Sequence, residues 1–478
     1  MQKIRYLSIF LVKTLLIFLL SLHYVNASTV ISVSNNKKDK LKILFIGFES
    51  RDQAVNGEAR KIFYQIENNL KTTNLFDTEE YRSIIEEVNS DLITENNEPT
   101  TNVVNQNNSL AVKEIMDSSP LDIDSMPRFD KFQAADIDFL MIAEPSFEDN
   151  GYIKVKLRAW DIADERQVIG KFYSSSIANY RKMSNIVSNE IYKSLTGEKY
   201  GHFDSKIAYI SETGPASKRI KKINIINFDG SSRNILTDGK DLVLTPSFAN
   251  KVDEIFYLRY FDNRPQVFKI NSNTLATKRI GNFKGTTFAA SPHPKNRNLV
   301  LLSVIIDGNS DIYELDIASN TARKLTNHPA IDTTASYSPD GTKITFSSDR
   351  ENGQQIYIAD SNGGNVRRIS NNGGSYSKPV WSPDGKMIAF TKIKGNQFYI
   401  GTMLTDGKNE RILSSGYLVE GAKWSLSSRY LVYSKKKSKF GFDSIPKLYV
   451  VDVLTGYEFK LNTPDNEGAT DPDWYQDL

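Results

Sequence analysis

The sequence predicts an α/β N-terminal domain followed by an all-β six-bladed propeller that the C-terminal strand closes. The main observation is a repeat, because SYSPDGTKITF at 336–346 recurs as VWSPDGKMIAF at 380–390. Weaker copies flank these two, and the residue that anchors each copy recurs every 43 to 50 residues. The anchors are Phe248, Pro292, Tyr337, Trp381, Trp424 and Trp474. Each unit holds four short strand patterns, and four strands in about 44 residues are typical of a propeller blade.

The two ends of the repeat region complement each other. The first unit begins with KIAYI at 206–210, which matches a second strand and lacks an innermost one. The last segment, DPDWY at 471–475, is an innermost strand with no second strand after it. Together they form one composite blade, which predicts a closed ring of six. A linear solenoid is the alternative, but it would leave unpaired strand edges at both ends, which natural proteins avoid.

The first 27 residues have the pattern of an export signal. Lys3 and Arg5 precede an apolar stretch at 14–22, and small residues follow up to Ala27, the predicted cleavage site. An uncleaved membrane anchor is the alternative, but nine residues make only about 14 Å of helix against a hydrocarbon core of roughly 30 Å. We therefore expect a periplasmic protein with no membrane span after signal removal.

Between the signal and the repeats the pattern is that of an α/β domain. A buried strand is predicted at 41–48, a helix at 58–74, strands at 137–143 and 153–159 and near Phe172, and a helix at 179–195. Residues 89 to about 128 are rich in polar residues and lack a sustained apolar period, which predicts an insertion without fixed structure. The predicted domains are thus a signal peptide at 1–27, the α/β domain at 28–203 and the propeller at 204–478.

Composition and motifs exclude several functions. The 60 basic and 57 acidic residues become 57 against 57 once the three cations of the signal are removed, so no nucleic-acid partner is expected. The chain has no cysteine, and the three histidines after the signal have no metal-binding spacing; we expect them to lie in loops. No common hydrolase, nucleotide or zinc motif occurs. The sequence therefore predicts a non-enzymatic protein with no metal and no cofactor, and the lysine run at 435–437 with Lys439 is interpreted as a solvated loop.

The repeat, together with SSDR at 347–350, resembles the repeat of the TolB family. The junction LTGEKYGHFDSKIAY at 195–209 and AWDI at 159–162 extend this resemblance over nearly the whole mature chain. The resemblance implies a scaffold of the Tol-Pal system that links inner-membrane Tol proteins to the outer-membrane lipoprotein Pal. Such a scaffold supports outer-membrane constriction during cell division and envelope integrity. The alternative is a periplasmic propeller enzyme, lyase-like or peptidase-like, or a ligand-binding propeller.

The resemblance also implies where partners bind. A Pal-like lipoprotein is expected at loops entering the innermost strands, which are 244–246, 286–289, 332–334, 376–378, 419–421 and 470–472. The predicted contact residues are Thr286, Ala289, Thr333, Thr334, Ser377, Glu420 and Thr470. The start of the mature chain is expected to bind a TolA-like inner-membrane protein. This segment comprises Ser28, Thr29, Val30, Ile31 and Ser32. From the residues alone, it is equally interpreted as a disordered leader.

Overall fold

A computed structural model describes residues 40–48, 53–81, 83–84, 103–118, 121–351, 353–441 and 444–477. The predicted signal peptide, its cleavage site at Ala27 and the segment 28–32 lie outside these residues. Within the described part of the chain, no helix is long and apolar enough to cross a membrane.

The N-terminal region is built on one five-stranded mixed sheet. Its strands are β1 (Leu41–Ile46), β2 (Phe76–Glu80), β3 (Phe139–Phe147), β4 (Tyr152–Asp161) and β5 (Arg166–Ser176). Its helices are α1 (Gln53–Thr72), α2 (Val103–Ser118), α3 (Phe129–Ala134) and α4 (Tyr180–Thr196). The strand order is β2-β1-β3-β4-β5. Strand β1 is parallel to both of its neighbours, and β4 is antiparallel to β3 and to β5.

The alternating pattern of β4 explains how this sheet is covered. Ile153, Val155 and Leu157 are buried in one core with residues of α1 and α4. Trp160 faces a second core formed with α2 and α3. Because successive side chains of a strand point to opposite faces, one strand contributes to both cores. Helix α4 ends at Gly197, which adopts the left-handed conformation at φ 71° as a C-terminal cap.

Two predictions for this region are wrong in detail. Helix α1 begins at Gln53, five residues before the predicted start. Residues 103–118 of the predicted unstructured insertion form α2, in which Val112, Ile115 and Met116 are buried against the sheet. These three apolar residues share one helical face, but the segment before them is polar, so no sustained period is visible. Their burial comes from tertiary packing rather than from local pattern.

Six four-stranded antiparallel sheets follow within the described residues. The chain first forms β6 (Lys206–Thr213), β7 (Ile220–Asn227) and β8 (Asn234–Ile235). Blade 1 has β9 (Val243–Phe248), β10 (Glu254–Phe261), β11 (Arg264–Asn271) and β12 (Thr277–Arg279). Blade 2 has β13 (Thr286–Pro292), β14 (Leu299–Ile306), β15 (Asn309–Asp316) and β16 (Thr321–Lys324). Blade 3 has β17 (Asp332–Tyr337), β18 (Lys343–Ser348), β19 (Gln355–Asp360) and β20 (Arg367–Arg368).

Blade 4 has β21 (Ser375–Trp381), β22 (Met387–Lys394), β23 (Gln397–Leu404) and β24 (Arg411–Gly416). Blade 5 has β25 (Leu418–Trp424), β26 (Tyr430–Lys436), β27 (Lys447–Asp452) and β28 (Glu458–Lys460). The last strand, β29 (Gly468–Tyr475), completes blade 6 in the order β29-β6-β7-β8.

Pairing of the first and last propeller strands closes the ring. Strand β29 is antiparallel to β6, with Thr470 opposite Ile210 and Trp474 opposite Ile207. Asp473 ties the closure to both neighbouring blades, because it accepts a hydrogen bond from the Phe248 backbone N–H at 2.7 Å and pairs with Lys423 Nζ at 3.2 Å. The predicted composite blade and the six-bladed fold are confirmed.

Candidate protein-binding mouth of the propeller

The innermost strands share one irregularity. Each shifts register against its neighbour, and the residue three positions before the anchor has a positive φ, between 45° and 72°. We call these six residues the bulge ring: Thr245, Ala289, Thr334, Lys378, Gly421 and Asp471. A bulge re-aims the side chain that carries it. All six line a cavity of about 730 Å³ on the propeller axis.

This cavity extends from the bulge ring towards one end of the propeller. Its wall includes the six anchors, and the next residues along it, such as Pro294, Pro339 and Pro383, belong to the turns that follow the innermost strands. We call this end the turn end, and the opposite end, where the innermost strands begin, the entry end.

The structure places the seven predicted contact residues differently from the expectation. All six segments predicted as entry loops lie inside innermost strands, so that prediction is wrong. The bulge breaks the alternation of apolar and polar residues, and the sequence therefore looks like a loop where a strand has formed. Of the seven residues, Ala289 and Thr334 line the cavity. Four of the others precede a bulge-ring residue directly, and Thr286 begins β13. Those four are Thr333, Ser377, Glu420 and Thr470.

Contacts within and between blades hold several of these residues in place. The Thr334 backbone N–H donates to Ser303 Oγ of blade 2 at 3.0 Å, and the Thr334 hydroxyl lies 3.0 Å from Ser347 Oγ. Thr470 Oγ1 donates to Glu212 Oε1 at 3.2 Å. Thr333 is 9% exposed. These side chains therefore also support the fold, and Thr333 has little surface to offer a partner.

Three charged residues meet at the bulge ring: Lys378 and Asp471 line the cavity, and Glu420 directly precedes Gly421. Lys378 Nζ donates to Glu420 Oε2 at 2.5 Å across blades 4 and 5. Burial favours the neutral amine, but the nearby carboxylates of Glu420 and Asp471 outweigh it and raise the pKa of Lys378. Burial also raises the pKa of Asp471, although the charge of Lys378 opposes this. Lys378 is therefore held protonated beside two carboxyl groups, and its charge offsets part of theirs.

A group of exposed apolar residues that the sequence pattern did not predict lies at the entry end. Strand pairing and position in the chain put them level with or beyond the first residues of the innermost strands, on five of the six blades, and each residue is 36% to 75% exposed. We call them the apolar rim: Ile220, Leu242, Tyr260, Phe261, Ile305, Ile306, Ile331, Tyr417 and Phe440. A signal was present, since IIDG at 305–308 and YFDN at 260–263 place apolar pairs directly before tight turns. A cluster of exposed apolar residues is a candidate for an interaction surface.

Metal-binding geometry is not found in the described part of the chain. No group of three or more His, Asp or Glu side chains there could hold an ion. His202 lies outside helices and strands, as expected, but it is buried at 1% exposure between the two domains.

These features define a class: a protein in which an α/β domain precedes a closed six-bladed propeller with an apolar rim at one end. Residues 192–478 match the family model described as the TolB beta propeller domain. Tol-Pal system protein TolB of Gluconobacter oxydans (strain 621H) is 38% identical over 332 residues, or 68% of this chain and 71% of that protein. TolB from Acinetobacter baumannii has the same fold, with a TM-score of 0.74 and 22% identity over 91% of this chain and 97% of that one.

The chain belongs to the TolB family. The resemblance predicted from the repeat and the domain junction is thereby confirmed. The chain is therefore a TolB-type propeller protein and not one of the propeller enzymes considered as the alternative.

Proposed function

We propose that this chain is a periplasmic protein-binding component of the Tol-Pal system, and that the entry end of its propeller binds a Pal-like outer-membrane lipoprotein. The apolar rim is the observation that carries this proposal. It lies at the entry end on five of the six blades, and burying its side chains against a partner would remove them from water at a gain of roughly 25 cal/mol per Å². Family membership supports the same system, because the Gluconobacter oxydans relative is named as a Tol-Pal system protein.

The polar groups behind the rim support binding rather than oppose it. Lys378 and Glu420 are paired within the chain, so a partner covering the channel would not leave either charge alone. The seven predicted contact residues lie along the same innermost strands as the channel wall. Ala289 and Thr334 would meet a partner element that enters the channel, while Thr286, Ser377, Glu420 and Thr470 lie nearer the entry end.

A second partner completes the proposed scaffold. The segment from Ser28 to Ser32 would bind a TolA-like inner-membrane protein, which would let one chain connect both membranes during outer-membrane constriction and maintain envelope integrity. Only the family resemblance supports this part of the proposal, because the segment lies outside the described residues.

Calorimetry with purified proteins tests the proposal. The mature chain would be titrated with the peptidoglycan-associated lipoprotein of the same organism, without its lipid anchor, and separately with the periplasmic domain of its TolA-like protein. We expect saturable binding in both titrations. Removal of residues 28–32 should abolish only the second. The absence of lipoprotein binding by the intact mature chain would refute the proposed function.

A further inference from the structure

Blade 6 presents a run of cations at the entry end. Residues 214–219 join its second and third strands, and four basic residues lie at the end of this connection and the start of β7. We call them the cationic corner: Lys218, Arg219, Lys221 and Lys222. Ile220, which lies among them in the chain, belongs to the apolar rim. The same connection in blades 1, 2 and 4 has two residues and no cation. The corner therefore departs from the repeat, and insertions into a repeat commonly lie on the binding face.

The connection of blade 6 folds back tightly on itself. Residues Ala216–Lys218 form a single 3-10 turn, and the Lys218 backbone N–H donates to Pro215 O at 2.9 Å. Gly214 has φ 79°, and a Cβ at this position would lie 2.8 Å from Lys218 O, so the turn requires a glycine there. Lys218 and Arg219 are exposed at the end of this turn. A defined backbone therefore presents their charges to solvent.

The chain compensates only part of the positive charge of the cationic corner. Glu212 is opposite Lys221 in the β6–β7 pair, and Glu212 Oε1 lies 2.6 Å from Lys221 Nζ. Glu212 Oε2 lies 4.0 Å from Arg219 Nε. Within the described part of the chain, neither Lys218 nor Lys222 takes part in an ion pair. Four cations are therefore set against one contacting carboxylate, which leaves positive charge for a partner.

The cationic corner lies beside the channel. Thr470 Oγ1 donates to Glu212 Oε1 at 3.2 Å, and Thr470 directly precedes Asp471 of the bulge ring. Burial raises the pKa of Asp471, and the charge of Lys221 is among those that oppose the rise. The corner is thus continuous with the channel wall through Glu212 and with the apolar rim through Ile220.

Charge is distributed unevenly around the entry end. Asp262 and Asp307 are exposed in the two-residue turns of blades 1 and 2, which correspond to the connection of the cationic corner. Lys435 and Lys436 of blade 5, the neighbour of blade 6, add cations on the side of the corner. Because all six blades repeat one architecture, this uneven charge distinguishes one orientation of a bound partner from another.

We propose that the cationic corner binds an acidic patch on the protein partner that covers the apolar rim, and that this contact sets the orientation of the partner on the ring. The inference rests on the proposed function, in which the partner is a Pal-like lipoprotein. Complementary charges across an interface fix its register and raise the association rate in a salt-dependent manner. An acidic protein fits better than an anionic membrane, because a flat bilayer over the entry end would also meet Asp262 and Asp307, which would repel it.

Stopped-flow association kinetics test the contact, with the lipoprotein without its lipid anchor as the probe. The double variant Lys218→Glu/Arg219→Glu reverses two charges of the cationic corner. The matched control, Lys284→Glu/Lys394→Glu, makes the same change in net charge at two exposed lysines of the entry end outside the corner. We expect the corner variant to associate about tenfold more slowly at low salt and the control to associate at close to the wild-type rate. The difference should shrink as salt is added, because ions screen exposed charges.

Photo-cross-linking tests the orientation. p-Benzoylphenylalanine is introduced at Ser217 in the connection of blade 6 or at Asn396 in that of blade 4, both of which are exposed. Mass spectrometry then identifies the lipoprotein peptide captured from each position. We expect position 217 to capture a peptide rich in Asp and Glu, and position 396 to capture a different one. Capture of the same peptides from both positions would mean that the partner adopts several orientations, and would overturn the inference.

The kinetic results separate the cationic corner from the proposed function. If wild-type protein binds the lipoprotein and both double variants associate at the same rate, the inference is wrong and the proposed function stands. If wild-type protein does not bind at all, both fail. Loss of binding to phosphatidylglycerol-containing vesicles in the corner variant, with unchanged lipoprotein kinetics, would overturn the inference in favour of a membrane.

A neutralising variant guards against misfolding. Lys218→Gln/Arg219→Gln removes the two charges without placing a new carboxylate near Glu212, and we expect it to associate about threefold more slowly than the wild type at low salt. Thermal unfolding verifies that each variant is folded. A wild-type association rate in this variant would contradict the inference.

Discussion

The ring of His202 lies 4.4 Å, centre to centre, from the ring of Tyr430, and this contact joins the interdomain linker to blade 5. Phe203 and Phe228 pack on the same histidine at 4.3 and 4.9 Å. Neither ring nitrogen of His202 has a hydrogen-bond partner within the described structure. Burial, with a smaller effect from the charge of Arg429, lowers the pKa of His202 to about 3. The junction between the domains therefore favours the neutral form of this histidine.

The first prediction concerns acid stability. The unfolded chain binds a proton at His202 near pH 6.5, whereas the folded chain does not until about pH 3. The free energy of unfolding contributed by this site is thus complete above pH 6.5 and falls as the pH drops towards 3, by about 1.4 kcal/mol per pH unit. His202→Leu should flatten the decline. Denaturant unfolding at several pH values measures the free energy of unfolding of both proteins. An equal dependence of that free energy on pH in the wild type and the variant would contradict the prediction.

The second prediction concerns ring closure. Trp474 stacks on Phe228 at 5.3 Å, and β29 supplies the innermost strand of blade 6. Deleting residues 470–478 should lower the free energy of unfolding by several kcal/mol, the effect of a large core truncation plus lost backbone hydrogen bonds. Deleting only 477–478 is the control and should change little. A thermal midpoint that is the same in both truncations would show that the C-terminal strand does not close the ring.

The third prediction separates folding from binding at Thr333. This side chain is buried in β17, so Thr333→Arg would bury an unpaired guanidinium. We expect the free energy of unfolding to fall by more than about 2 kcal/mol. Thr333→Ser keeps the hydroxyl and should cost less than about 1.5 kcal/mol. Urea unfolding monitored by tryptophan fluorescence is the measurement. Wild-type stability of the arginine variant would mean that the site accommodates the charge.

The fourth prediction tests backbone strain in the bulge ring. Gly421 has φ 72°, and a methyl group there would meet its nearest atom, Pro472 Cδ, only at 3.9 Å. Gly421→Ala should therefore cost about 1 kcal/mol through backbone conformation alone. Ala289 has φ 55°, so Ala289→Gly should stabilise by about 0.5 kcal/mol, since relief of strain exceeds the added entropy of the unfolded chain. Differential scanning calorimetry of both variants is the measurement. Stability changes of opposite sign would support backbone strain in the bulge ring, and changes of the same sign would contradict it.

The fifth prediction tests the apolar rim. Ile331 is 48% exposed at the entry end, and Leu454 is 50% exposed at the turn end. Ile331→Glu should weaken lipoprotein binding at least tenfold, about 1.4 kcal/mol, because the partner would have to desolvate a carboxylate. Leu454→Glu should bind like the wild type. Calorimetry of both variants is the measurement, and an equal loss in both would exclude the entry end as the specific surface.

The sequence by itself determined the propeller and its closure. Each blade repeats a local pattern of strands and turns, and the 206–210 and 471–475 segments complete each other, so topology follows from counting. The sequence also predicted the family, because the domain junction at 195–209 is a continuous motif. These features depend on residues that are neighbours in the chain, and such local patterns predict strands and turns directly.

Tertiary structure alone decided which residues the site contains. The bulge ring is made of one residue from each of six blades. Each bulge interrupts the alternation of apolar and polar residues, so the sequence predicts a loop where the structure has a strand. For this reason Thr333, predicted in a loop, lies buried in β17. The burial of His202 likewise requires two domains to meet around one ring. Helix α2 is fixed by Val112, Ile115 and Met116 packing on the sheet, in a segment whose composition indicates disorder. In each case the stabilising contacts join residues that are far apart in sequence. Local sequence patterns therefore do not predict these contacts.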